Sequence, residues 1–72
     1  MIDESSMSQY AMEQGMILGM QRGLLMSGTA KFGPPDDTNR YRLTGVTDLE
    51  RLGRMAESVL FVNTWQEVMA TM

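Results

Sequence analysis

The chain has 72 residues and a mass of 8.1 kDa, room for one small domain whose folding buries only roughly 60 % of the unfolded chain's surface. It contains no cysteine and no histidine, which excludes disulfides, zinc fingers, haem ligation and Cys/His nucleophile chemistry. Nine acidic against six basic side chains give a net charge of −3, a balance that disfavours nucleic acid and anionic membrane surfaces as partners.

Domains of this size usually add a disulfide, a metal or a partner chain to a thin core, and here the partner chain is the support that remains. The N-terminus opens Met1-Ile2-Asp3-Glu4, acidic where a secretory signal would be basic. The most apolar stretch, Met16 to Met26, is interrupted by Gln21 and Arg22. It falls short of the roughly 18 uncharged residues that a membrane span requires. A cytoplasmic location is the expectation.

Ser6 with Gln9 matches a capping box, which predicts a first helix from Ser6 to Phe32. Gly33-Pro34-Pro35 ends it, because each proline pushes the residue before it out of helical geometry. Gly33 suits the position just past the last turn, and Lys31 is well placed for the helix dipole. This helix carries Gly15, Gly19, Gly23 and Gly28 in its interior, at a cost of roughly 3–4 kcal/mol relative to alanine. Something outside the helix must offset that.

After the prolines, Asp36 and Asp37 sit in the first turn of a short predicted helix running through Leu43 and ending near Gly45. Thr47-Asp48-Leu49-Glu50 reads as a capping box opening the strongest helical pattern in the chain. Leu49, Leu52, Met55, Ala56, Val59 and Leu60 fall on one face, with Glu50, Arg51, Arg54 and Glu57 on the other. Glu50 and Arg54 are spaced for an i,i+4 pair in the favoured direction. Thr64-Trp65-Gln66-Glu67 starts a last helix with Trp65, Val68 and Met69 as its apolar side. The fold class is all-α: a long N-terminal helix, residues 1–33, followed by a small bundle of two or three short helices in residues 34–72, together one domain.

Chemistry-bearing constellations are sparse. Asp36-Asp37 lacks the converging carboxylates and lysine that divalent-metal nuclease chemistry needs, so helix-terminus charge is the better reading, with no metal or cofactor. Ser5, Ser6, Ser8 and Thr64 have no histidine to act as base. Arg40, Arg42, Arg51 and Arg54, with Tyr41 between two of them, suggest nucleic-acid contact, but Asp36, Asp37, Asp48, Glu50 and Glu57 are interleaved with them. Trp65 reads as a core anchor rather than a base-stacking platform.

The first helix is the exception. Met12, Met16 and Met20 recur every four residues, as do Gly15, Gly19 and Gly23, so two adjacent stripes run along one side. Small residues at that spacing let helices approach closely, and methionine packs adaptably on irregular surfaces. These six residues are the candidate protein-interaction site. The alternative is that the stripe covers the domain's own short helices.

Three segments also carry a resemblance: Lys31-Phe32-Gly33-Pro34-Pro35, Val46-Thr47-Asp48-Leu49-Glu50-Arg51-Leu52 and Thr64-Trp65-Gln66-Glu67-Val68. Together they resemble the bacterial C-terminal domain called domain of unknown function 4351, over about residues 15 to 70. That domain usually follows the nuclease-like domain of the Rpn-type recombination-promoting nuclease and putative transposase group. Glycines spaced by four, as at Gly15, Gly19 and Gly23, fit the repeats between the two parts. Here Met16, Ile17, Leu18 and Met20 replace the charged repeat residues. The resemblance implies activity in a nuclease domain that these residues do not contain. The expectation is a non-catalytic accessory or oligomerisation domain, associating with itself or with a longer nuclease-like relative. The alternatives are a nucleic-acid-binding accessory domain and an inert remnant of a truncated gene.

Overall fold

A computed structural model describes residues 4–72, with side chains from Met7 onward. Four helices follow one another: α1 (Glu4–Phe32), α2 (Asp37–Thr44), α3 (Leu49–Ser58) and α4 (Trp65–Ala70). The described residues contain no strand, so the all-α fold expected from the sequence holds. No described helix is long and apolar enough to cross a membrane.

The ends of the helices follow local chemistry. Gly33 has φ +86°, a conformation that strains residues with a Cβ, and its N–H donates to Thr29 O at 2.9 Å to close α1. Asp36 caps α2 by accepting from Asn39 N at 2.7 Å, and Thr64 caps α4 by accepting from Glu67 N at 3.1 Å. Two caps differ from the sequence expectation. The helix is already formed at Glu4, so Ser6 lies inside α1 and is not its N-cap. At α3 the cap is Asp48 rather than Thr47. The Asp48 carboxylate accepts from Glu50 N at 3.0 Å and Arg51 N at 3.4 Å, which shifts the start by one residue.

The core forms where α1 meets the short helices. Leu24, Leu43, Leu52, Met55 and Val68 are its most buried side chains, joined by Ile17, Val46, Val59, Trp65 and Met69. Alpha-1 packs chiefly on α3, and α4 closes the bundle against α2 and α3. Three side chains set the order along α1. Buried Gln21 donates from Nε2 to Thr44 O at 3.2 Å and Val46 O at 2.7 Å, tying the first helix to the α2–α3 turn. Lys31 Nζ donates to Val59 O at 2.7 Å and satisfies the end of α3. The Trp65 indole N–H donates to Gly33 O at 2.7 Å. Alpha-2 therefore returns along α1 and α3 runs forward again.

Leu60 departs from the expected face of α3. The helix stops at Ser58, and tight turns follow, with Leu60 N bonded to Glu57 O and Phe61 N to Ser58 O. The changed geometry turns Leu60 and Phe61 to solvent, 73 % and 80 % exposed, and brings Val62 against the core instead. The Glu50–Arg54 pairing also gives way. Arg54 Nε reaches Met72 O at 2.6 Å, while Arg51 donates to Met69 O and Thr71 O.

Candidate functional site

The buried positions of α1 among the described side chains all lie in its second half. Its contact face is Ile17, Gln21, Leu24 and Gly28, at the i, i+4, i+7, i+11 spacing of one helical stripe, with Met20, Leu25 and Phe32 packed at its margins. The described side chains before Ile17 are all exposed, so residues 4–16 extend the helix by about 20 Å beyond the core. The molecule is accordingly long, 48 × 22 × 18 Å, and its radius of gyration of 13.9 Å exceeds the roughly 11 Å of a compact chain of this length.

The outer face of α1 is the candidate site. Gly19 lies about 160° around the helix from Ile17, which puts it on the side away from the core. Met12, Gly15, Met16, Gly19 and Gly23 are all exposed. An added Cβ on Gly15, Gly19 or Gly23 would meet nothing within 4 Å among the described residues. Met12 is 66 % exposed and Met16 53 %. Five of the six residues singled out from the sequence thus share one open apolar surface.

Met20 does not. It turns inward, half-buried, with its Cε 4.0 Å from where a Cβ on Gly53 would stand. The four-residue spacing rotates about 40° per step, which carries Met20 off the outer face and over α3. The structure adds Met26 in its place, 74 % exposed and three residues beyond Gly23. The sequence signal was present, since i+3 and i+7 are helical neighbours as good as i+4. Beside Met26 lies a shallow hollow of about 450 Å³ lined by Leu25, Met26, Thr29, Ala30 and Arg40.

Other candidates have structural work. Asp36 is a helix cap. Arg51 and Arg54 hold the chain after α4, while Arg40 and Arg42 lie at separate hollows rather than on a shared surface. Trp65 is buried, with its ring edge-on to Phe32 at 5.6 Å between centroids, as a core anchor should be. A second open hollow of about 480 Å³, between Tyr41, Arg42, Asp48, Arg51 and Met69, brings polar groups together around backbone already bonded to Arg51. Among the described residues no three acidic side chains gather as a metal site would need. No protein-family model, curated protein or solved structure matches this chain.

Proposed function

We propose that the protein is a non-catalytic association module whose working surface is the outer face of α1. One observation carries this reading: Gly15, Gly19 and Gly23 each weaken the helix by about 1 kcal/mol relative to alanine, and their own fold gives nothing in return. Gly28 has an intramolecular reason, because a Cβ there would overlap the Trp65 ring. The other three face open space, flanked by exposed methionines suited to an irregular partner surface. A second copy of the chain, or a longer relative bearing the same helix, is the occupant this surface suits. The resemblance to the Rpn-associated C-terminal domain agrees with such a role.

Sedimentation equilibrium at micromolar concentration tests the reading. The wild-type chain is expected to sediment above 8.1 kDa, and Gly19→Leu as an 8.1 kDa monomer that keeps its helicity, since the new side chain meets nothing in its own fold. A wild-type monomer unaffected by the substitution overturns it. The purified protein is expected to hydrolyse neither DNA nor RNA with Mg²⁺ or Mn²⁺. Metal-dependent cleavage lost in an Asp36→Ala/Asp37→Ala variant would contradict the non-catalytic assignment.

A further inference from the structure

Two pairs of residues on the outer face of α1 are placed symmetrically about Gly19. Gly15 and Gly23 stand four residues to either side, and Met12 and Met26 seven, about 10.5 Å along the axis. We propose that the occupant is a second copy of this chain, its α1 crossing antiparallel about a two-fold axis at Gly19 and seating Met12 of one copy in the hollow beside Met26 of the other. The proposal rests on the association reading above and adds partner, direction and register.

Three further observations favour this arrangement. The first is shape. The hollow of about 450 Å³ formed by Leu25, Met26, Thr29, Ala30 and Arg40 belongs to the supported half of α1, while Met12 protrudes from the unsupported half. Antiparallel pairing brings each protruding side chain level with a hollow, twice per dimer. Parallel pairing sets hollow against hollow and methionine against methionine. The second is the helix dipole: antiparallel axes set each positive helix end beside the other's negative end, whereas parallel axes set like ends together. The third is area. A compact monomer of 8.1 kDa exposes about 4500 Å², whereas this chain exposes 5253 Å². The excess of about 750 Å² is surface that folding of the single chain leaves uncovered. Glycines at the crossing point admit the second backbone, and an isologous contact requires the self-matching order that Met12, Gly15, Gly23 and Met26 display.

Because the chain has no cysteine, single thiols report the geometry cleanly. Met12→Cys and Met26→Cys are made separately, and both positions are exposed, so the fold tolerates the change. Each variant alone, and an equimolar mixture, is treated with a short bifunctional maleimide. In the antiparallel dimer the two thiols of a Met12→Cys homodimer are about 21 Å apart, out of reach. The mixture is therefore expected to give several-fold more covalent dimer than either variant alone. Efficient linking within each single variant would establish parallel pairing, overturning this inference while leaving association intact. A dimer by sedimentation that links in none of the three samples overturns it as well. Absence of linking from a chain that sediments as an 8.1 kDa monomer overturns the association reading itself.

Discussion

The two halves of α1 obey the same helical geometry in different surroundings. From Ile17 to Phe32 each inward position has a partner: Ile17 and Leu24 in the core, Gln21 on two carbonyls, Gly28 beneath Trp65, Lys31 on Val59. Before Ile17 the described side chains are all exposed, although Tyr10 and Met7 continue much the same apolar character, 66 % and 59 % exposed. Isolated helices are marginal in water, and most helical stability in proteins comes from packing. Glycine in a helix therefore has to be judged by what an added Cβ would meet. At Gly28 the missing side chain makes room for an indole, whereas at Gly19 it leaves a bare backbone facing outward.

Substitutions probe both halves, beginning with the core that supports the second. Leu52→Ala and Trp65→Ala remove large buried side chains and should each cost about 2–5 kcal/mol. A domain this small has a total stability of roughly 3–5 kcal/mol, so both variants should be largely unfolded by circular dichroism at 25 °C. Melts close to wild type would show that the bundle does not depend on them. Gln21→Leu leaves the carbonyls of Thr44 and Val46 without their donor and should cost about 1–3 kcal/mol, read from urea denaturation.

The glycines then separate by sign. Gly28→Ala should destabilise by about 1–3 kcal/mol because Trp65 must move off the helix. Gly23→Ala, in dilute protein where the monomer is measured, should stabilise by up to about 1 kcal/mol, since the methyl group enters open space. Urea melts of the two variants side by side decide it. Equal effects at both positions would erase the distinction between the halves. The smallest expected change is at a cap. Thr64→Ala removes the acceptor for Glu67 N and should cost about 1 kcal/mol, with little loss of overall helicity.

Much of the architecture was legible in the sequence because it is locally encoded. Pro34-Pro35 after Gly33 ends α1, and Thr64 caps α4 where its side chain reaches the next turn's N–H, whereas Asp36, expected in the first turn of α2, stands one position earlier as its N-cap. The periodic face of α3 held through Val59. It failed at Leu60, because a face projected by spacing persists only while the helix does, and this one ends at Ser58. Asp48 and Thr47 both offered a capping oxygen, and the stronger acceptor one residue later set the start. The site was read more coarsely. A stripe at four-residue spacing drifts around the helix, so Met20 left the outer face and Met26 joined it. Gln21 looked like an interruption of an apolar run, and it is the buried tie between α1 and the α2–α3 turn. That role depends on two carbonyls brought near by the rest of the fold, which no local pattern specifies.

Amide hydrogen exchange across α1 as a function of protein concentration tests the proposal that a partner, rather than its own domain, holds the first half of the helix. At high concentration the amides of residues 7–16 should be protected nearly as well as those of residues 17–32. On dilution below the dissociation constant, protection in residues 7–16 should collapse while residues 17–32 stay protected by the core. Protection of residues 7–16 that is absent at every concentration, or present and unchanged by dilution, would contradict the account.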